Sequence, residues 1–226
     1  MKRCIHIDFH TMPGIKDFAK NIDAKKTAQM LSDANVTYVN VFARCNIGFS
    51  YYPTKVGIVY PGLERDLLGE MIEELKKCGI GVCAYINGGL NHELVSRRPE
   101  LLKIDKSGRV YGDDPVENNF FRSPCFNSEY RQILLAQIKE VVEKNPDGIF
   151  CDCMVVRPCY CKNCLEKMKK LGIDTKDDKE VYRFAFETVL EVACEIRQVV
   201  PESMNLYINS ISYEMINKIV SHTELE

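Results

Sequence analysis

Residues 146–164 read PDGIFCDCMVVRPCYCKNC and bring two kinds of chemistry together in one stretch. Asp152 closes an apolar run, G-I-F-C, that has the character of a buried strand. Alternation puts Phe150 and Asp152 on one face of that strand, and Ile149, Cys151 and Cys153 on the other. A carboxylate at the C-terminal end of a barrel strand reads as catalytic, against the plainer role of a helix cap or ion-pair partner. A few residues later, Cys159, Cys161 and Cys164 have the tight spacing that lets one turn offer three thiolates to a tetrahedral ion. A closed zinc site needs a fourth ligand, and Cys125 is the best placed. It lies on the loop before the helix that begins near Glu129, and both loops leave the C-terminal side of neighbouring strands, whereas Cys153 is held within or just after its own. Clustered cysteines in a cytosolic chain favour a metal over a disulfide. Structural zinc is the expectation; reduced thiols without a metal, or an iron–sulfur or redox role, are the alternatives.

The elements that must position these residues follow an alternating plan. CIHIDFH (4–10) alternates, with Ile5, Ile7 and Phe9 on one face and His6, Asp8 and His10 on the other. Asp23 caps a helix that runs to about Ala34. A second strand covers 36–45, followed by a loop rich in Gly, Pro and Tyr that is too long for a plain connector. A helix over 63–79 stops at Gly79, and a third strand covers 80–87. A long excursion over 88–128 includes a short helix around HELVSRRPELL. Then come an amphipathic helix from Glu129, the Asp152 strand, a helix from about Asp178 to Val200, a fifth strand at 205–210 and a last helix around YEMINKIVS.

Strands that alternate with helices through crossover-length connections specify parallel βα units. Five such units average roughly 50 residues each, so eight would need on the order of 400 residues. The expected fold is therefore α/β: a TIM-type (β/α) barrel of which this chain, as a single domain over 1–226, holds the N-terminal five to six units. An open five-stranded sheet would leave edges unpaired and an interior half filled.

Composition narrows the function. The chain has 226 residues, a formal net charge of -2 and no basic tract, so nucleic acid and anionic membranes are not expected partners. No apolar run is long enough to span a bilayer, and the N-terminus lacks a signal-peptide pattern; a cytoplasmic protein is expected. A homo-oligomer is compatible with these features. Of the 11 cysteines, Cys4, Cys45, Cys78, Cys83, Cys151 and Cys194 sit singly in apolar stretches and read as small buried hydrophobes.

HIDFH, GFSYYPTK, RSPCFNSEYR, DGIFCD and CYCKNC, in that order, resemble the family called hypothetical glycosyl hydrolase 6, itself similar to family 42 β-galactosidases and family 151 α-L-fucosidases. The resemblance covers nearly the whole chain. It implies a carbohydrate substrate of the galactoside or fucoside class and retaining hydrolysis, which needs two carboxylates roughly 5–5.5 Å apart. It also implies zinc held by Cys125, Cys159, Cys161 and Cys164, with Arg122 near the substrate. Asp152 falls at the strand-four carboxylate, nucleophile in fucosidase-like members and acid/base in family 42. In family 42, however, that residue is a Glu preceded by Asn, whereas here Cys151 precedes an Asp. The resemblance implies a second carboxylate from a later strand, for which Glu224 and Glu226 are available, and the family pattern favours Glu226; at a chain terminus it would be weakly anchored, so little hydrolysis is expected of this length alone. Arg44, Tyr52, His10, Tyr85 and Asn87, at or near strand ends, are expected to line the sugar site. Two other functions compete: a truncated or degenerate barrel that binds carbohydrate without catalysis, and an amidohydrolase-type enzyme with metal on His6, Asp8 and His10.

Overall fold

The structure, a computed structural model, describes residues 3–112 and 121–209. In chain order the elements are β1 (Cys4–His6), α1 (Ala24–Asp33), β2 (Tyr38–Arg44), β3 (Phe49–Ser50), β4 (Ile58–Val59), α2 (Leu67–Lys77), β5 (Gly81–Asn87), α3 (His92–Arg97), α4 (Tyr130–Val142), β6 (Gly148–Asp152), α5 (Lys162–Lys170), α6 (Asp178–Val199) and β7 (Asn205–Ile208). Helix starts are set as the sequence indicates: Asp23, Asp66 and Asp177 each accept main-chain N–H groups of their first turns. Gly79 follows α2 with φ +72°, the left-handed stop that glycine adopts without strain. The helix expected around 213–221 lies outside the described residues.

β1, β2, β5, β6 and β7 pair in parallel and in sequence order. That order, without the reversal of a doubly wound sheet, makes them an arc of a (β/α) barrel. Outward residues such as Val41, Val82, Ile86, Ile149 and Leu206 form one core with the helices. Inward residues form a second, aromatic core around Phe42, Tyr85 and Phe150. Glycine makes room inside: a Cβ at Gly148 would come within 2.9 Å of the Tyr38 hydroxyl. Among the described residues, no helix is long and apolar enough to cross a membrane.

Two expectations change. The first strand ends at His6 rather than at His10. Asp8 accepts from the main-chain N–H of His10 at 2.7 Å, and Thr11 N–H donates to the Phe9 carbonyl, so local turns replace the ladder. Phe9 consequently packs edge-on against Phe18 and Tyr51 instead of staying outside with Ile5. The long loop after β2 is not an open binding segment either. It adds β3 antiparallel to β2, with β4 parallel to β3, and buries Phe49, Tyr51, Tyr52 and Tyr60.

Candidate active site

Register builds the site in layers. Phe42 of β2 pairs with Tyr85 of β5, Tyr85 with Phe150 of β6, and Phe150 with Tyr207 of β7, an inward aromatic row across the sheet. The Phe42 and Tyr85 rings stack with centroids 4.2 Å apart, and His6 and His10 stand edge-on to both. One step towards the C-terminal ends, Asn87 pairs with Asp152, and Asn209 follows β7. Half-buried Asp152 takes hydrogen bonds on both carboxylate oxygens. Tyr85 Oη donates to Oδ2 at 2.6 Å, with Asn87 Nδ2 at 3.5 Å; Oδ1 accepts from Asn209 Nδ2 at 3.0 Å and from the Cys153 N–H at 2.7 Å. Burial, reinforced by this carboxylate, pushes the Tyr85 phenol far up, so Tyr85 remains a donor. The same causes push the Cys153 thiol up to about 11.

The main chain around Asp152 is clamped by a glycine turn. Gly88 and Gly89 donate to the Asp152 carbonyl at 2.9 and 3.2 Å. A Cβ at Gly89 would overlap the Cys153 carbonyl, so this approach requires glycine. Cys153 itself has φ +58°, a left-handed conformation that costs a non-glycine residue energy and is found at sites whose surroundings enforce it. The twist returns its thiol to the inner side, 3.4 Å from Asp152 Oδ2, whereas simple alternation would place it outside.

Arg44 and Tyr52 are not brought to this cluster. The β2–β5 register shifts between Phe42 and Arg44, and Arg44 pairs with outward-facing Ile86, so its side chain is fully buried against α4. There its Nη1 donates to Gln137 Oε1 at 2.6 Å, and its Nη2 to Tyr130 Oη at 2.9 Å and to the Asn87 carbonyl. Tyr130 in turn donates to the Gly88 carbonyl at 2.7 Å, so Arg44 and Tyr130 hold the glycine turn from behind. Tyr52 donates to Glu140 of α4 at 2.9 Å. Tyr85 and His10 do meet in the aromatic row below Asp152, and Asn87, level with Asp152, donates to the Tyr85 hydroxyl at 3.0 Å. Arg122 sits on the strip leading to Cys125, with Nη1 donating to Ser96 Oγ at 3.2 Å. Glu224 and Glu226 lie outside the described residues. Sequence reasoning missed Asn209, Tyr130 and the Gly88–Gly89 turn; N-G-G directly after a strand was the available signal.

The four cysteines meet. The sulfurs of Cys125, Cys159, Cys161 and Cys164 all lie within 4.8 Å of one another, and all four residues are buried. A single ion at about 2.3 Å from each sulfur sets them roughly 3.8 Å apart in a tetrahedron, so the set fits one ion. Asn127 adds the surrounding donors, its main-chain N–H to Cys125 Sγ at 3.3 Å and its Nδ2 to Cys164 Sγ at 3.4 Å. Hydrogen bonding from Cys125 draws the Cys159 thiol well below its ordinary range. Lys103 is buried alongside; burial holds its ammonium below the usual lysine range, and Cys159 and Cys125 pull the other way. Among the described residues, His6, Asp8 and His10 form no comparable metal-capable group.

The profile of the family described as hypothetical glycosyl hydrolase 6 matches residues 23–153, more than half of the chain and the part that carries β2, β5 and β6 with Asp152. The chain belongs to this family. No curated protein sequence matches it. Among solved structures, this family member is similar to α-L-fucosidase isoenzyme 2 from Paenibacillus thiaminolyticus, with 31% identity and a TM-score of 0.86 over 93% of the chain; it spans 33% of that enzyme. It is also similar in fold to the β-galactosidase from the psychrophilic Marinomonas ef1, with 14% identity and a TM-score of 0.68, covering all of the chain and 40% of that one. A glycoside hydrolase domain from Bordetella bronchiseptica gives 14% identity and a TM-score of 0.67 over 92% of the chain and 65% of the domain. The family member thus has a glycoside-hydrolase barrel fold and spans about a third of the fucosidase's length.

Proposed function

We propose that the chain carries the sugar-binding and nucleophile half of a retaining glycoside hydrolase site, acting on a fucoside or, second, a galactoside. One observation carries this: Asp152, at the end of β6, has donors from β5 and from the residue after β7 on both oxygens. All of its hydrogen-bond partners among the described residues donate. That surrounding fixes both carboxylate oxygens in place and offers neither of them an acceptor. An Asp152 oxygen would attack the anomeric carbon while the bond to the leaving oxygen breaks, with Glu226 as the proposed proton donor to that oxygen. Water would then attack the glycosyl-aspartate, releasing sugar and carboxylate. Tyr85, Asn87 and His10 would offer a polar and aromatic floor to the sugar. The likeness to the fucosidase at 31% identity supports the fucoside class.

The test is to incubate the chain with 2-deoxy-2-fluoro fucosyl and galactosyl donors bearing an activated leaving group. A single glycosyl adduct on the peptide containing Asp152 is expected; turnover of an aryl glycoside with a label elsewhere, or with inverted product, would refute the assignment. The second reading, carbohydrate binding without turnover, rests on the polar and aromatic floor formed by Tyr85, Asn87 and His10. Glycan binding that survives Asp152→Asn, without hydrolysis by the parent chain, would establish it.

The cysteine cluster we assign to one structural zinc, supported by the buried four-sulfur geometry. It would pin the loop after β6 to the loop before α4. Metal analysis should return one zinc per chain, and none after Cys161→Ser.

A further inference from the structure

Lys103 is 5% exposed, and the charged groups that act most strongly on its ammonium include no carboxylate: they are Cys159, Cys125, Arg157 and Cys164. Burying a lone cation is expensive, so such groups are normally paired or neutralised. Cysteines of the cluster and an aromatic ring are among its neighbours. A small cavity is bordered by Lys103, Cys125, Cys159, Cys164, Arg157 and Phe126, and the ammonium lies 5.3 Å from the Phe126 ring centroid. Arg157 is the second cation at this cavity, its guanidinium 5.7 Å over the Tyr111 ring. Four neutral thiols would leave the ammonium with no countercharge. A zinc ion with four thiolates carries two net negative charges, and two cations beside it balance them.

We propose that Lys103 is the buried counter-charge of a dianionic tetrathiolate zinc centre, so that ammonium and metal hold each other in the fold. This rests on the zinc reading above and adds that the centre's charge is what keeps a lysine at this position. The consequence is a reversal of sign. With the ion present, replacing Lys103 by an apolar residue of similar length removes half of the balancing charge and loosens the metal. Without the ion, the same replacement removes an isolated buried charge and helps the fold.

The experiment follows zinc release from the purified holoprotein to excess chelator, read with a colorimetric zinc indicator, for the parent chain, Lys103→Met and Lys103→Arg. Lys103→Met should release zinc at least about tenfold faster, the scale typical of a lost outer partner, and Lys103→Arg should stay near the parent. In a Cys161→Ser background, Lys103→Met should raise Tm rather than lower it. Equal zinc retention by parent and Lys103→Met overturns the proposal, as does the same drop in Tm in both backgrounds. If Lys103→Met does not fold, Lys103→Gln is set against Lys103→Arg, and equal release from the two overturns it. A parent chain purified without zinc overturns the zinc reading and this proposal together.

Discussion

Asp152 and Cys159 stand at the two ends of one short segment after β6, yet they are held in opposite ways. The cysteine end is mostly local: three of the four clustered cysteines fall within six residues, and one more arrives from the loop before α4. The carboxylate end depends on distant segments. Besides the adjacent Cys153, its partners come from β5 and from beyond β7, and its main chain is gripped by a glycine turn that Arg44 and Tyr130 secure from the outer face. A metal clamp can be written in a spacing, because tetrahedral coordination asks only for donors on flexible side chains. A positioned carboxylate requires sheet register, because neighbouring strands must deliver donors to the same point.

The two ends should therefore separate on mutation. Asp152→Asn should lower any glycosidase turnover by at least ~10³-fold, the scale expected when a nucleophile is lost, while zinc content and Tm stay unchanged. A parallel loss of metal would show that the ends are one unit. Cys161→Ser should do the reverse in order of effect: zinc falls to none and Tm drops first, with turnover following only through loss of fold.

Gly89→Ala probes the grip between β5 and β6. Its Cβ would overlap the Cys153 carbonyl, so about 1–3 kcal/mol of stability should be lost by denaturant titration, together with turnover but not zinc. Tyr85→Phe removes one hydrogen bond to a charged group. A cost of about 1.5–3 kcal/mol in stability is expected by denaturant titration, together with lower turnover but unchanged zinc content. Smallest of all, Asp66→Ala deletes the cap of α2, remote from both ends. About 1 kcal/mol of stability should go, with zinc and turnover both unaffected. A change in either readout there would mean that the comparison measures general stability and nothing local.

Much of this was legible before any coordinates. Polar caps, glycine stops and the alternation of β-branched runs with amphipathic stretches place most helices and strands within a few residues, since those signals act over one or two turns of chain. Asp152 at a strand end was readable for the same reason; the meeting of Cys125 with the C-x-C-x-x-C loop was readable because both loops leave the C-terminal ends of neighbouring parallel strands. Arg44 was not. Strict alternation puts it inward beside Phe42, and one extra residue in the β2–β5 register sends it outward to Gln137 and Tyr130. Cys153 escaped in the same way, through a left-handed residue that alternation does not anticipate.

By itself, then, the sequence determined the βα rhythm, the helix ends, the strand-end carboxylate and the three close-set cysteines, all consequences of local propensity and short spacing. Only the tertiary structure decided that Asn209 meets Asp152, that Lys103 is buried at a cavity it shares with Cys125, Cys159 and Cys164, and that Arg44 is buried behind the glycine turn. Those outcomes depend on register and packing between distant segments, and nothing in local physical chemistry specifies them.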